Sequence, residues 1–287
     1  MQLATVKAGG ARRFGAMSEG GFIDLSARFE GSCADIPGLL AQDLLAEAER
    51  YCATANADFT LDEFTFLPVI PRLDARLFAL GWAYKDHQVE TGKEAARFPT
   101  ILSKDPQSLV GHDQPLVKPR VSEMFDYEGE IVIVIGKAGR HIPTASAMHH
   151  VAGFSILNDG SVRDWQKHSV TAGKNFDASS SYGPWLVTKD ELPDLGKMVL
   201  TTRLNGKEMQ KSSFGQLVWD LCYLINYVST FCRLEPGDAI STGTPGGIGA
   251  RRNPPVFMKA GDVIEVEVSG IGTLRNTIIE EAPVGTS

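Results

Sequence analysis

The segment DYEGEIVIVIGK at residues 126–137 joins two closely spaced glutamates to an uninterrupted apolar run. Every residue from Ile131 to Ile135 is apolar, which predicts a strand that is buried on both of its faces. Glu128 and Glu130 are two residues apart, so a strand would place both carboxylates on one face. At the end of a buried strand the two carboxylates repel each other and require a cation or a shared proton, whereas on a solvent-facing strand they need neither. The apolar run favours the buried interpretation.

Outward from this segment, the chain shows many short strand patterns and few helical ones. Its 287 residues include 29 glycines and 15 prolines, which favour tight turns and short strands. Helices are predicted over 37–53, 144–152 and 214–232, and SVRDWQKH at 161–168 is a shorter helix-like stretch. Strands are predicted over 3–7, 13–25, 77–81, 128–136, 154–158, 239–242 and 263–268, with a hairpin over 199–212 around Asn205-Gly206. This pattern indicates a β-rich α+β protein, with a small domain over residues 1–70 and a larger one over 71–287.

Composition and charge exclude several classes of protein. Apolar residues make up 43% of the chain and charged residues 22%, as in ordinary soluble globular proteins. The net charge of −7 disfavours a nucleic-acid partner, because phosphate backbones would be repelled. No apolar run approaches about 18 residues, and the first residues lack the apolar core of a signal peptide, so neither a membrane span nor secretion is predicted. The four cysteines contain no C-x-x-C pair and are typical of reduced thiols, which predicts a cytoplasmic protein.

A third acidic residue would complete an all-oxygen metal site. Asp159 directly follows the strand-like FSILN at 154–158, and functional sites commonly form at strand ends. Three converging carboxylates suit Mg²⁺ or Mn²⁺, with Ca²⁺ as a further candidate, and do not suit zinc. Because such carboxylates repel one another without an ion, we expect Glu128→Ala to leave the fold largely intact.

Three other segments contain candidate functional residues. In YKDHQVE at 84–90, His87 and Glu90 are three apart, which on a helical turn pairs them as in water-activating sites, although an ordinary surface pair has the same spacing. Lys174 lies in TAGKNFDASSSYG and is a candidate electrophile, although an ordinary solvated lysine fits as well. The glycine-rich STGTPGGIG at 241–249 lacks the Gly-Lys-Ser/Thr end of a P-loop, which excludes nucleotide binding but allows its backbone to approach a small ligand.

Taken together, these segments resemble the fumarylacetoacetate hydrolase family. The resemblance runs in order from about residue 77 to about residue 280 and covers YKDHQVE, DYEGEIVIVIGK, NDGSVRDWQ, GKNFD, GPWLVT, LNGK, LEPGD and STGTPGGIG. The order and spacing of so many segments are far more specific than any single motif. The resemblance implies a mixed β-sandwich roll in the C-terminal region, a small N-terminal α/β domain before it, and assembly as a homodimer.

The resemblance also implies a role for individual residues. The ligands of one Mg²⁺ or Mn²⁺ ion per subunit would be Glu128, Glu130 and Asp159. The catalytic residues would be His87 and Glu90, which activate water, and Lys174, which stabilises an enolate or oxyanion. The residues expected to bind substrate are Tyr84, Arg163, Gln166, Tyr182 and Thr244.

The implied activity is metal-dependent hydrolysis of a carbon–carbon bond in a 2,4-diketo acid of the acylpyruvate type, which releases a pyruvate-like acid and a second carboxylic acid. Two alternatives stay open. One is a decarboxylase or isomerase that acts through the same enolate, on oxaloacetate or a ring-cleavage dicarboxylate, and the other is a metal-dependent small-acid binding protein without turnover. The expected partner is a small anionic keto acid, with no nucleic acid and no membrane. Two departures from the family pattern imply an altered pocket shape and leave the substrate open: the chain reads Gly81-Trp82-Ala83-Tyr84 where members often read Gly-x-Asn-Tyr, and Gly160 follows Asp159 where many carry a bulky apolar residue.

Overall fold

The computed structural model describes residues 1–85, 90, 97–192 and 194–283. Within these residues the chain forms eighteen β-strands and five α-helices, with short 3₁₀ helices between them. The α+β, β-rich fold predicted from the sequence is therefore confirmed. No helix among the described residues is both long enough and apolar enough to cross a membrane.

The elements are numbered in chain order. The strands are β1 (Gln2–Ala8), β2 (Ala11–Ser18), β3 (Gly21–Asp24), β4 (Phe64–Phe66), β5 (Leu77–Gly81), β6 (Thr100–Lys104), β7 (Leu109–Val110), β8 (Leu116–Lys118), β9 (Phe125–Asp126), β10 (Gly129–Ile135), β11 (Val151–Asn158), β12 (Ser161–Val162), β13 (Ser180–Thr188), β14 (Val199–Leu204), β15 (Lys207–Ser213), β16 (Ala239–Ser241), β17 (Val263–Val268) and β18 (Gly272–Glu280). The α-helices are α1 (Leu25–Arg28), α2 (Ile36–Ala41), α3 (Leu45–Cys52), α4 (Val170–Lys174) and α5 (Leu221–Phe231). The 3₁₀ helices are Pro106–Ser108, Thr144–His150, Trp165–Lys167, Lys189–Glu191, Leu195–Lys197, Phe214–Gln216 and Gly249–Arg251.

Two mixed sheets form the body of the protein. In the described part of the chain, the larger sheet has the order β3-β2-β1-β13-β11-β10-β16-β5-β6, with β4 added on β1 and β7 added on β13. The smaller sheet has the order β15-β14-β17-β18-β8, and β9 pairs with β12. One hydrophobic core joins the two sheets and α5, and it includes Ile131, Ile133, Leu224, Val266 and Val268. The arrangement is a sandwich, as the resemblance implied.

The other face of β10 is covered by the N-terminal region. Val132 and Val134 belong to a second core that also contains Leu3, Leu39 and Ala48. Every residue of β10 is buried, which confirms the prediction of a strand buried on both faces. Because β1 pairs antiparallel with β13, the N-terminal strands extend the large sheet. The division of the chain into domains at residue 70 stays a prediction.

The single helix predicted over 37–53 is wrong, because the structure forms α2 and α3 there. Asp43, between the two helices, has a φ of 55°, which lies in the left-handed region and ends α2. The Asp35 side chain accepts a hydrogen bond from Gly38 N at 2.9 Å and caps α2. Leu39 of α2 and Ala48 of α3 pack in the same core, so apolar residues of both helices have the regular spacing that suggested one helix.

Three other helix predictions fail in part. Over 144–152, a 3₁₀ helix leads directly into β11, so Gly153 lies within a strand instead of ending a helix. Over 214–232, a 3₁₀ helix and a bend precede α5, which is capped by Asp220. The stretch 161–168 holds β12 and a 3₁₀ helix. Periodicity alone does not separate an α-helix from a shorter turn that buries the same residues.

The hairpin predicted over 199–212 is confirmed as β14 and β15. Asn205 and Gly206 have φ values of 52° and 76°, as a type I′ turn requires. The hairpin brings Gln210 to the start of β10, where its Oε1 accepts a hydrogen bond from Gly129 N at 3.0 Å. A local turn signal thus positions a residue that lies next to the candidate site.

Candidate active site

Three carboxylates converge where β10 begins and β11 ends. The two strands are antiparallel and Gly129 pairs with Asn158, so the residue before β10 lies beside the residue after β11. Asp159 N accordingly donates a hydrogen bond to Glu128 O at 2.8 Å. Carboxylate oxygens of Glu128, Glu130 and Asp159 lie within 4.8 Å of one another, and all three residues are buried. The structure therefore brings together the three residues predicted as metal ligands.

Lys174, the last residue of α4, lies between two of these carboxylates. Its Nζ is 2.6 Å from Glu128 Oε2 and 2.6 Å from Asp159 Oδ2. Burial lowers the pKa of Lys174, but the attraction of Asp159 and Glu128 raises it more, so the pKa lies above its ordinary value. Lys174 is therefore a buried ammonium group that carboxylates hold at the end of a short helix.

Lys104, at the end of β6, supplies a second buried cation that the sequence analysis did not identify. Its Nζ lies 2.9 Å from Asp159 Oδ1 and 3.0 Å from Ser180 Oγ, and it also donates to the backbone oxygen of Lys174. Burial lowers the pKa of Lys104, and the charge of Asp159 opposes this shift. Asp159 is thus held at one oxygen by Lys104 and at the other by Lys174, which fixes the orientation of its carboxylate.

Arg163 links the carboxylate cluster to Asp126. Its Nε lies 2.8 Å from Asp126 Oδ2, its Nη1 lies 2.7 Å from Glu128 Oε1, and Nη1 also donates to Gln166 Oε1 at 3.2 Å. Arg163 Nη2 is buried and has no hydrogen-bond partner among the described residues. Nη2 is therefore a donor that a carboxylate or carbonyl oxygen of a ligand could use.

The contacts of Glu128 overturn one expectation. Glu128 pairs with both Arg163 and Lys174, so its charge is compensated in this structure. Removing it would leave two buried cations with one partner fewer, which destabilises a fold instead of relieving repulsion. The premise of uncompensated repulsion is therefore wrong, and we now expect Glu128→Ala to destabilise the fold.

The glycine-rich loop binds Asp126 through its backbone. Gly249 N and Ala250 N donate hydrogen bonds to Asp126 at 2.8 Å and 2.9 Å. A Cβ on Gly249 would lie 1.8 Å from Val256 O and 2.5 Å from Asp126 Oδ1, so only glycine fits this position. At this end of the loop, the backbone donors thus serve an internal carboxylate and not a ligand.

With all of its carboxyl groups ionised, the described part of the cluster carries more negative than positive charge. Its acidic members are Asp126, Glu128, Glu130 and Asp159, and its basic members are Lys104, Arg163 and Lys174. Glu130 Oε2 accepts a hydrogen bond from Ser241, whereas Glu130 Oε1 is buried without a hydrogen-bond partner among the described residues. Burial, together with the charge of Asp159, raises the pKa of Glu130 well above its ordinary value. An excess negative charge and an unpartnered buried oxygen fit a hard divalent cation, which would favour the ionised form of Glu130.

A cavity of about 300 Å³ opens on this cluster. Six of the residues predicted for the site line it, namely Glu128, Asp159, Arg163, Gln166, Lys174 and Thr244. The rest of its described wall consists of Leu80, Gly81, Trp82, Thr100, Leu102 and Val170. Two of the three predicted metal ligands, the predicted lysine and three predicted substrate-binding residues therefore line one cavity, and the third ligand, Glu130, lies within 4.8 Å of the other two.

Neither departure from the family pattern lies in the described cavity wall. Ala83, which stands where the family often has asparagine, is buried in the core that joins the two sheets, whereas its neighbour Trp82 lines the cavity. Gly160 is not part of the described cavity wall, and a Cβ on it would lie 1.8 Å from Ser179 O. The glycine at position 160 is therefore explained by close backbone packing.

Thr244 reaches the cavity from the glycine-rich loop with its hydroxyl already bonded. Thr244 Oγ1 donates to Gly129 O at 2.9 Å and accepts from Gln210 Nε2 at 2.8 Å. Gln210 Nε2 also lies 2.9 Å from Pro245 O, so this one amide joins the β14–β15 hairpin, the loop and β10. Thr244 contributes mainly its methyl group and its position to the cavity wall, and Gln210 holds it there.

Neither predicted tyrosine lines the described cavity. Tyr182 of β13 pairs with Leu157 of β11, and this register places both residues in the second core. The Tyr182 hydroxyl is buried without a hydrogen-bond partner among the described residues. Tyr84 is also fully buried and forms a β-bridge with Leu217. The family resemblance suggested both tyrosines, but side chains alternate between the two faces of a strand, and the register of β13 directs Tyr182 into the second core.

The structure describes one of the two residues of the predicted water-activating pair, Glu90. Glu90 Oε1 accepts a hydrogen bond from Gly247 N at 3.0 Å, which attaches Glu90 to the glycine-rich loop. His87 lies outside the described residues. The pairing of His87 with Glu90 therefore stays a prediction.

Sequence reasoning missed three residues that organise the site: Lys104, Asp126 and Gln210. Asp126 belongs to the same DYEGE segment as the predicted ligands, so its position was a usable signal. Lys104 ends β6, a strand at the edge of the described sheet whose other four residues are exposed or half-buried, so its sequence did not indicate a buried lysine. Gln210 looks like any polar residue of a hairpin, so only the structure reveals it.

Comparisons of the sequence with known proteins identify a family and a similar protein. Residues 76–279 match the family model described as fumarylacetoacetate (FAA) hydrolase C-terminal. A Bos taurus protein named oxaloacetate tautomerase FAHD2A, mitochondrial, is 38% identical over 270 residues, which cover 91% of this chain and 84% of that protein.

Solved structures of similar proteins share the fold of this chain. A fumarylacetoacetate hydrolase from Exiguobacterium antarcticum is 30% identical, with a TM-score of 0.80 over 98% of this chain and 100% of that chain. A 5-carboxymethyl-2-hydroxymuconate delta-isomerase from Mycobacterium smegmatis is 28% identical, with a TM-score of 0.77 over 99% of this chain and 100% of that chain. Similar proteins thus bear the names of a tautomerase, a hydrolase and an isomerase.

Proposed function

The chain belongs to the fumarylacetoacetate hydrolase family of enzymes, and from that premise we propose that it interconverts the keto and enol forms of a 2-oxo acid with the help of Mg²⁺ or Mn²⁺. Hydrolysis of a carbon–carbon bond in a 2,4-diketo acid, the activity that the sequence predicted first, becomes the second candidate. The names of the bovine tautomerase and the mycobacterial isomerase support this order. The observation that carries the proposal is the buried ammonium of Lys174, held 2.6 Å from two carboxylates at the wall of the cavity.

Three carboxylates would hold the ion in this proposal: Glu128, Glu130 and Asp159. Their oxygens lie within 4.8 Å of one another, and the unpartnered Glu130 Oε1 supports the assignment. When bound, Mg²⁺ or Mn²⁺ would withdraw electron density from the 2-oxo group and stabilise negative charge on its oxygen. Arg163 Nη2 would bind the substrate carboxylate, with Gln166 holding the guanidinium group in place.

Lys174 would carry the proton in the proposed reaction. The exchange moves one proton between C3 of the substrate and the 2-oxo oxygen. In the enol-to-keto direction, the Lys174 ammonium donates a proton to C3, and the resulting amine accepts the enol O–H proton. The nearby carboxylates raise the pKa of Lys174, so the residue starts this sequence with its proton bound.

Hydrolysis of a carbon–carbon bond is the second candidate. It requires a water activated by a base, the role that the sequence suggested for His87 and Glu90. The bond from Gly247 N to Glu90 Oε1 supports it, because it fixes Glu90 to the loop that contributes Thr244 to the cavity. His87→Ala should then reduce carbon–carbon cleavage by about 10²–10⁴-fold, the usual contribution of a general base.

The test compares two reactions on the purified enzyme with added Mn²⁺. Oxaloacetate and an acylpyruvate are followed by enol absorbance, and the products are identified by chromatography. Tautomerisation changes the absorbance of oxaloacetate without forming new acids, whereas hydrolysis releases pyruvate from the acylpyruvate. If the enzyme does not accelerate the enol–keto exchange of either substrate, the proposal is refuted. Release of pyruvate from the acylpyruvate, without acceleration of that exchange, would favour the second candidate.

The role of Lys174 is tested by substitution. Lys174→Ala should lower kcat by roughly 10²–10⁴-fold, the usual contribution of a residue that donates and accepts the transferred proton. Lys174→Arg should not restore it, because a planar guanidinium does not replace a compact ammonium. Lys211→Ala, at a lysine of β15 with 58% of its side chain exposed, is the matched control. An unchanged kcat in Lys174→Ala would remove Lys174 from the mechanism.

The remaining sequence predictions concern assembly and location. We propose a homodimer, which light scattering of the purified chain would test directly. The name of the bovine relative places that protein in mitochondria, and a cytoplasmic location for this chain stays a prediction.

A further inference from the structure

The three carboxylates of the proposed metal site are held by different kinds of partner. Buried lysine and arginine side chains contact Glu128 and Asp159 directly. Glu130 instead accepts a hydrogen bond at Oε2 from the hydroxyl of Ser241, and its Oε1 has no hydrogen-bond partner among the described residues. A hydroxyl group fixes the position of a carboxylate without neutralising its charge. Within the described cluster, Glu130 is therefore the proposed ligand that is oriented by a neutral group.

Ser241 is the polar end of an otherwise apolar strand. β16 consists of Ala239, Ile240 and Ser241, and all three residues are buried. Ser241 is 0% exposed, and a hydroxyl that is buried without a hydrogen bond is unfavourable. Its hydrogen bond to Glu130 removes this cost. The contact with Glu130 therefore explains a serine at a position where packing alone would favour an apolar residue.

The register of the large sheet explains how Ser241 reaches Glu130. Ser241 pairs with Val132 of β10 in the antiparallel ladder of β16 and β10. Glu130 precedes Val132 by two residues and so lies on the same face of the sheet. Diagonal neighbours of this kind are about 7–8 Å apart along the backbone, a distance that a long side chain spans. The sheet thus places the hydroxyl beside one oxygen of the Glu130 carboxylate.

A second serine occupies a matching position and has a different partner. Ser155 of β11 pairs with the same Val132 from the opposite side, and it is also 0% exposed. Its hydroxyl donates to the backbone oxygen of Trp185 at 2.8 Å. Ser155 and Ser241 therefore share their burial and their place along β10, and they differ in what the hydroxyl holds.

Resting on the metal site of the proposed function, we propose that Ser241 is a positioning residue for the ion. It acts through Glu130, whose carboxylate it holds in the orientation that binds Mg²⁺ or Mn²⁺. Hydrogen bonds from outer residues to the ligands of a metal fix the orientation of those ligands, and their loss typically lowers metal affinity by about 10–100-fold. Because Ser241 is neutral, it orients Glu130 without competing with the ion for its charge.

Calorimetry with Mn²⁺ on the purified chain tests this role. Ser241→Ala should lower the affinity for Mn²⁺ by roughly 10–100-fold. Ser155→Ala also removes one buried hydroxyl beside Val132, but it should bind Mn²⁺ as the wild type does. Circular dichroism of each variant verifies that it is folded. An unchanged affinity in Ser241→Ala, or equal losses in the two variants, would overturn the inference.

A second pair of variants separates the hydroxyl from the space that it fills. Ser241→Thr and Ser241→Val introduce side chains of nearly equal size, which differ in a hydroxyl against a methyl group. We expect the threonine variant to bind Mn²⁺ at least about tenfold more tightly than the valine variant. This comparison stays decisive if Ser241→Ala does not fold, and equal affinities of the two variants would overturn the inference.

Metal binding also separates this inference from the proposed function. A wild-type chain without measurable affinity for Mn²⁺ would refute the metal site and the role of Ser241 together. Mn²⁺ binding that is weakened in Ser241→Ala supports the role of Ser241 even if the chain does not exchange enol and keto forms, in which case the proposed reaction fails alone. In an active enzyme, the Mn²⁺ concentration for half-maximal activity should rise in Ser241→Ala by the same factor as the dissociation constant, and an unchanged concentration would contradict the inference.

Discussion

Two groups of three acidic side chains have almost the same geometry and very different surroundings. In Glu128, Glu130 and Asp159, as in Glu49, Asp190 and Glu191, one oxygen of each residue lies within 4.8 Å of the others. The first group is buried, and the second group is exposed. Proximity of carboxylates is therefore common to both, and only their environment distinguishes them.

The difference shows that burial makes an acidic cluster suitable for binding a cation. In the exposed group, water screens the repulsion, and Glu191 pairs with the N-terminal amine at 3.0 Å while 55% of its side chain stays exposed. In the buried group, each charge needs a specific partner, and Lys104, Arg163 and Lys174 provide those partners. The cations still leave Glu130 Oε1 without a hydrogen bond among the described residues. A buried cluster that remains short of positive charge is suited to an ion, whereas an exposed cluster is already satisfied by water.

The largest expected effect is on metal binding. Glu130→Gln keeps the size of the side chain but removes one of three buried negative charges. We expect the affinity for Mn²⁺, measured by calorimetry, to fall roughly 10³-fold, because breaking a buried ion pair costs about 3–5 kcal/mol. Glu49→Gln in the exposed group should bind Mn²⁺ as the wild type does. Equal losses in both variants, or no loss in Glu130→Gln, would mean that burial does not distinguish the two groups.

The next effect is on stability, and it contrasts a buried lysine with an exposed one. Lys104→Met fills the same space but leaves Asp159 Oδ1 without its cation. The free energy of unfolding should fall by about 3 kcal/mol, at the low end for a buried pair because Lys174 still contacts Asp159.

Urea denaturation measures this change, and Lys197→Met provides its control. Lys197 pairs with Asp194 at 2.8 Å, but 86% of its side chain is exposed, so the unfolding midpoint should not move. If Lys104→Met unfolds at the same urea concentration as the wild type, the buried pair contributes nothing to the fold.

The smallest effect concerns a buried neutral residue beside the cluster. Gln210→Ala leaves Gly129 N and Thr244 Oγ1 each with one hydrogen bond fewer. We expect a loss of about 1–2 kcal/mol in the free energy of unfolding, the scale for an unsatisfied buried polar group, together with a reduced kcat as Thr244 shifts. Gln216→Ala, at an exposed glutamine of the 3₁₀ helix Phe214–Gln216, is the control for both measurements. A reduced stability with an unchanged kcat would limit Gln210 to a structural role.

The candidate site was predictable where its residues belong to distinctive local patterns. Glu128, Glu130 and Asp159 stand at the ends of two strongly apolar strands, and such strands could be recognised without any structure. Tyr182, which only the family resemblance suggested, lies outside the described cavity wall. The register of β13 against β11 places it in the second core. A change of one residue in register moves a side chain to the other face of the sheet, and the sequence does not specify that register.

The amino-acid sequence by itself determined the β-rich fold class, the two-faced burial of β10 and the identity of the three clustered carboxylates, because these depend on local periodicity and on the order of motifs. Only the tertiary structure decided which cations contact those carboxylates. Lys104 precedes Lys174 by 70 residues, and it reaches the same Asp159 only because β6, β11 and α4 are brought together by the large sheet. The energy of a buried charge depends on what lies within a few ångströms of it, and those distances are set by the fold.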